Sequence, residues 1–252
     1  MQPRSKKSAA TQTAPSKTGA GERINVALRN TGKATRREAD ELIALGKVFV
    51  NGEKATVGMR VSPTDKIEIR GKSKTYRYFV YNKPAGIVTT QPQAGEKDIV
   101  SSTKFPKVEG GKLFPIGRLD KDSTGLIIMT NDGRITDDFL SPDKQHEKEY
   151  VVTINKRVTN SFKNAMENGV TIGDSPRDKN SNKKIEKYTT KPSKVVILGD
   201  QTFSIILTEG KNRQIRRMCE ALGTHVTKLE RVRIGKYMLG KMKPGEWREI
   251  KM

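Results

Sequence analysis

The sequence predicts an α+β protein of two domains, the second built on a mixed, largely antiparallel sheet with flanking helices. Three observations carry this. Strand-like apolar runs alternate with short helical patterns after residue 77. A polar segment, residues 71–76 (GKSKTY), separates them from an earlier helix-pair and hairpin pattern. The length, 252 residues, suffices for two small domains that bury most of their apolar surface.

The chain starts with a segment that matches neither domain. Residues 1–22 hold no large apolar residue after Met1 and are read as a disordered basic tail. Residues 23–70 form the first domain. Ile24, Ala27 and Leu28 share a helical face, with Gly32 as the stop. Thr35 stands three residues before Glu38, the spacing of a capping box. Ala39, Leu42 and Ile43 form the stripe of this second helix, and Gly46 suits its C-terminal cap. Asn51-Gly52 is a hairpin turn, and "KIEIR" alternates as a strand. Arg29, Lys33, Arg36 and Arg37 cluster where the two helices meet, a corner suited to phosphate contact rather than to solvation alone.

Residues 77–252 form the second domain. "YRYFVYNKPAG" is a strand ending in a Lys-Pro turn. Further strands are expected at Leu126–Met129, Tyr150–Ile154, Val195–Leu198 and Phe203–Leu207, with helical patterns at 134–140, 159–168 and 212–222. The lysine-rich stretch 173–194 is read as an exposed loop or hairpin.

Composition narrows the partners. Lys plus Arg outnumber Asp plus Glu by 49 to 28, a formal net charge of +21. Such an excess points to a polyphosphate chain, whose condensed counterions basic side chains displace. No run of 18 apolar residues is present to span a bilayer, so no membrane partner is expected. One cysteine, Cys219, excludes an internal disulfide and fits a cytoplasmic setting. With two histidines and one cysteine, no structural metal is expected.

Against that charge, "GRLDKDSTGLIIMTNDG" (117–133) holds three aspartates. The residues alone leave three readings. The carboxylates of Asp120, Asp122 and Asp132 could hold Mg²⁺ for phosphoryl transfer. They could balance local charge. Or one of them, in a loop bounded by Gly117 and Gly125, could act as a carboxylate nucleophile.

The first domain, with its order of helix, turn and basic corner, resembles the S4-type RNA-binding domain. "GRLDKDSTGL", "HEKEYVV" (146–152), "EGKNRQIRRMCEALG" (209–223) and "LERVRIG" (229–235) resemble, in that order, the RsuA-type ribosomal RNA pseudouridine synthases, nearest their large-subunit branch. The resemblance spans about 230 of 252 residues. It implies an S4-like RNA-binding domain followed by a pseudouridine synthase catalytic domain. Asp120 would be the nucleophile, Tyr150 would pack on the target base, Arg216 would pair with Asp120, and Ile215 would line the pocket. Arg118, Leu119, Lys121, Asn212, Arg213, Gln214 and Arg217 would contact RNA, as would Arg36 and Arg37.

The residues themselves support part of this. In 212–222 read as a helix, Ile215, Met218, Cys219 and Leu222 make the core stripe, with Arg216 at its edge and Arg213 and Arg217 away from it. Isomerising uridine loses no group and uses no redox equivalent, so no cofactor is expected. A neighbouring guanidinium favours the ionised carboxylate that the reaction needs. If the loop is extended, Asp122 points away from Asp120. The expected partner is large-subunit ribosomal RNA, with a transfer RNA left open as a second substrate, and the expected state is a monomer. A non-catalytic ribosome-assembly protein and a metal-dependent nuclease are the rival functions.

Overall fold

A computed structural model describes residues 21–71, 74–109, 111–140, 146–173 and 187–252. The tail through residue 20 and residues 174–186 of the lysine-rich stretch lie outside the described residues. The chain divides into two compact units between residues 73 and 74.

The first unit orders β1 (Glu22–Arg23), α1 (Ile24–Asn30), α2 (Arg36–Ala44), β2 (Val48–Val50), β3 (Glu53–Lys54), β4 (Arg60–Val61) and β5 (Ile67–Ile69). Pairing begins at Glu22, which sits opposite Val61, so the last residue assigned to the tail is part of the fold. At the start of α2 the Thr35 hydroxyl accepts the Glu38 N–H, and the Glu38 carboxylate accepts the Thr35 N–H. Both exchanges of a capping box are made. Asn51 and Gly52 join β2 to β3 with φ of 50° and 91°, the left-handed pair that a two-residue hairpin demands. Ile24, Leu28, Ala39 and Ile43 pack on Val48 and Val50.

The second unit contains β6 (Tyr78–Lys83), α3 (Ile99–Ser102), β7 (Phe114–Ile116), β8 (Thr124–Thr130), α4 (Thr136–Leu140) and β9 (Lys148–Ile154). It continues with α5 (Asn160–Asn168), β10 (Thr171–Ile172), β11 (Tyr188–Thr189), β12 (Lys194–Gly199), β13 (Thr202–Leu207), α6 (Gln214–Ala221), β14 (Val226–Ile234), β15 (Tyr237–Met238) and β16 (Trp247–Ile250). Nine of these strands make one sheet, whose main path runs β12-β13-β9-β14-β8-β6-β16. Its pairings are antiparallel except β14 with β8, which is parallel and spans only two register pairs, Glu230 with Thr124 and Arg231 with Gly125.

β8 shows why its sequence, TGLIIMT, lacks alternation: it is buried on both faces. Leu126 and Ile128 join Val80, Ile116, Phe139 and Ile234 in one cluster. Ile127 and Met129 join Phe79, Tyr81 and Ile99 in another. A third cluster lies under β9 and β13, where α6 contributes Ile215, Met218 and Cys219. Burial pushes the Cys219 thiol up to about 12, so it is an inert core residue at neutral pH.

Candidate active site

β8 is entered through a tight turn in which the Asp120 carbonyl accepts the Ser123 N–H at 3.1 Å. Because the segment turns rather than extends, Asp120 and Asp122 do not point apart as expected. The Arg213 guanidinium reaches both, with Nη1 3.5 Å from Asp120 Oδ2 and 3.4 Å from Asp122 Oδ1.

Arg213 is the residue preceding α6, and it holds φ 47° and ψ 33°. A left-handed backbone is uncommon for a residue with a side chain, and such outliers cluster at functional sites. Arg216 sits one turn inside α6 and is 7% exposed. Its Nη2 lies 3.1 Å from Asp122 Oδ2 and donates to Ser123 Oγ at 3.3 Å, while Nη1 donates to the Val226 carbonyl. The pairing of Arg216 with Asp120 implied by resemblance is therefore corrected. Arg213 is the guanidinium at Asp120, and the buried fork of Arg216 is taken up by Asp122, Ser123 and backbone.

A cleft of about 740 Å³ opens beside the turn, lined by Asp120, Leu119, Tyr150, Lys148, Ile215 and Arg213 among others. Tyr150 comes from β9, where it lies between Ile205 of β13 and Arg231 of β14. Three elements thus converge: the turn before β8, the middle of β9 and the N-terminal end of α6. The parallel β14–β8 junction brings the first to the others.

Two of the residues expected to contact RNA are buried in the lining of the cleft. Leu119 is 8% exposed and forms a wall of the cleft. Gln214 is 4% exposed, and its amide is spent locally: Nε2 donates to Glu209 at 2.6 Å and Oε1 accepts the Lys211 N–H at 3.0 Å. Arg217 turns back to donate to the Asn212 carbonyl. Arg118, Lys121 and Asn212 are exposed, with Lys121 also paired to Glu96 at 2.8 Å. Arg36 and Arg37 are exposed in the first unit.

Sequence reasoning missed the brace beneath the turn. Lys83 is fully buried, and its ammonium donates to the carbonyls of Pro84 at 2.9 Å and Ser123 at 2.8 Å, with Lys121 at 3.4 Å. Burial lowers its pKa to about 8, against the pull of Asp122 and Asp120 in the other direction. The Gly86 N–H donates to the Lys121 carbonyl at 2.8 Å. The Thr89 hydroxyl donates to the Leu119 carbonyl at 2.7 Å and accepts the Leu119 N–H at 3.0 Å. The Lys-Pro turn was the only visible signal of this, and it reads simply as a strand end.

The carboxylates of the metal-site reading do not gather. Asp132 is buried away in a pair with Arg134 at 2.8 Å and accepts from the Tyr78 hydroxyl. Among the described residues no three His, Cys, Asp or Glu side chains group as metal ligands. Nor, among them, is any helix long and apolar enough to cross a membrane.

Comparison with known proteins agrees with this architecture. Residues 77–221 match the RNA pseudouridylate synthase family, and residues 22–67 match the S4 domain. The chain is 40% identical over 234 residues to the dual-specificity RNA pseudouridine synthase RluF of Escherichia coli O6:H1, covering 90% of this chain and 75% of that one. It is 34% identical to the ribosomal large subunit pseudouridine synthase B of Bacillus subtilis, covering 91% and 92%. A solved pseudouridylate synthase structure superposes with a TM-score of 0.64 at 31% identity, covering 91% of this chain and 96% of that one. An S4 domain followed by a catalytic unit of this fold, matched across nine-tenths of its length, places the chain in the RNA pseudouridylate synthase family of isomerases.

Proposed function

We propose that this protein isomerises a uridine of large-subunit ribosomal RNA to pseudouridine, with Asp120 as the nucleophile. The observation that supports this best is the position of Asp120: at the cleft wall, held by Arg213, facing a space shared with Tyr150 and Ile215. The names of the RluF and large-subunit synthase B relatives support the choice of RNA.

In the reaction the Asp120 carboxylate attacks the nucleotide as the N1–C1′ bond breaks. The released uracil turns within the cleft, and C5 bonds to C1′ while the carboxylate leaves. The C5 proton passes to solvent and N1 takes one up, so the atoms balance without a redox step. Arg213 orients the carboxylate, and Tyr150 and Ile215 hold the base. The nucleotide must leave its stack to enter the cleft, at a cost of a few kcal/mol. A loop or single-stranded target lowers that cost.

The test is tritium release from C5-labelled uridine in ribosomal RNA fragments, run beside a filter-binding titration. Asp120→Asn should release none while binding RNA as well as the unaltered protein. Turnover by that variant would overturn the assignment of Asp120. Pseudouridine mapping in cells lacking the gene should show one or more lost positions in large-subunit RNA. An unchanged map there would overturn the choice of substrate.

A further inference from the structure

We propose that Thr89 is a positioning residue for the reaction: its hydroxyl fixes the backbone beside Asp120 and so sets where the carboxylate stands in the cleft. The inference rests on the reading of Asp120 as the reagent.

One hydroxyl satisfies both backbone groups of Leu119, accepting its N–H at 3.0 Å and donating to its carbonyl at 2.7 Å. This is the two-bond exchange that a neighbouring strand would supply, made here by a single side chain. Thr89 is 3% exposed, so water cannot replace it. Leu119 immediately precedes Asp120, and the carbonyls of Lys121 and Ser123 on its other side are held by Gly86 and Lys83. Asp120 therefore sits between fixed neighbours, with its own carbonyl closed onto Ser123.

The strut bearing Thr89 is anchored independently of the turn. Ile87 packs on the cluster of Phe79, Tyr81 and Ile99, and Ile99 is fully buried. The Val88 N–H donates to the Lys97 carbonyl at 3.0 Å, and Val88 bridges to Asp98. Thr89 is thus rigid relative to the core, and the Asp120 turn is rigid relative to Thr89. Ångström-scale misplacement of a reacting group lowers rate by up to about 10²-fold while leaving remote binding contacts untouched.

Thr89→Val keeps the shape and removes both hydrogen bonds, whereas Thr89→Ser keeps both. The assay is tritium release from C5-labelled ribosomal RNA at a temperature well below each variant's unfolding midpoint, with Asp120→Asn in parallel. Thr89→Val should lower kcat roughly 10- to 100-fold with KM unchanged within about twofold, and Thr89→Ser should restore kcat to within about threefold. Unaltered kcat in Thr89→Val overturns the proposal. So do equal losses in the Val and Ser variants, which would make the hydroxyl irrelevant, and so does a rise in KM alone, which would make Thr89 an RNA contact. If Thr89→Val does not fold, Thr89→Ala is read by the same kcat and KM split against Thr89→Ser. Activity in Asp120→Asn would instead sink the underlying reading, so the two failures are distinguishable.

Discussion

Arg213 and Asp120 face each other at 3.5 Å across the junction of α6 and the turn before β8, and the arginine holds this place with a left-handed backbone. Such a conformation costs of order 1–3 kcal/mol in a residue with a side chain, and glycine removes the cost. The ion pair itself is about one-third exposed and adds little to stability. Arg213→Gly should therefore raise the unfolding midpoint while cutting kcat at least tenfold. A calorimetric scan and a turnover assay on the same preparation check it, and a variant that loses stability along with activity would show that the strain is not where the backbone places it.

Asp122 and Arg216 form the supporting pair, so their loss should be milder than loss of Asp120. Asp122→Asn keeps shape but weakens the hold of Arg216 at 3.1 Å. The expected outcome is a several-fold fall in kcat, unchanged by added Mg²⁺. Arg216→Met leaves the Asp122 carboxylate with Arg213 but removes a buried fork that also ties Ser123 and Val226. It should destabilise by roughly 1–3 kcal/mol, the cost of leaving acceptors at Ser123 and Val226 unpaired. Chemical denaturation of the two variants separates the effects.

Lys83 gives the protein a pH signature. In the unfolded chain its ammonium titrates near the ordinary 10.5, and in the fold near 8. Between those values the unfolded chain binds the extra proton, so this residue's contribution makes stability rise with pH from about 8 towards 10.5. Below pH 8 both states carry the charge and the penalty of burying it is constant. Lys83→Met should remove the rise. The measurement is the difference in unfolding free energy between the two proteins from pH 6 to 10, and a flat difference would refute the lowered pKa. Catalysis should move the other way: above pH 8 the neutral amine keeps two donors for three carbonyls, the turn loosens, and kcat falls.

The exposed pair Arg36 and Arg37 should act through phosphates. Replacing both with alanine should make the slope of log K against log salt shallower by roughly one to two, at about 0.7–0.9 per contact. Titrations at four salt concentrations suffice, and an unaltered slope would remove RNA backbone contact from that corner.

What could be read beforehand follows from how local the signals are. The capping box at Thr35, the Asn51-Gly52 hairpin and the core stripe of α6 depend on residues within a turn of one another, and all three stand in the structure. β14 was not foreseen as a strand, because VTKLERVRI carries a charge at nearly every second or third position. Its buried arginine bonds across to a partner strand: Arg231 Nε donates to the Leu126 carbonyl at 2.7 Å. Asp120 could be singled out because its flanking motif is a contiguous string. The partnership of Arg213 was not, since it depends on a backbone angle and on a turn 91 to 93 residues away in the chain. The brace of Lys83, Gly86 and Thr89 was invisible for the same reason, being made mostly of backbone carbonyls and amides.

The seam between β8 and β14 has an evolutionary consequence. Gly125 adopts φ 106°, and a Cβ there would stand 2.3 Å from the Arg231 carbonyl oxygen. Four residues separate this fixed point from Asp120, filled by one turn with no slack. Downstream, successive side chains of β8 enter different clusters, so a single inserted residue would exchange Leu126 and Ile128 for Ile127 and Met129. Insertions and deletions between Asp120 and Met129 are therefore disfavoured from both ends, and length can vary more freely in segments that touch neither Asp120 nor the seam.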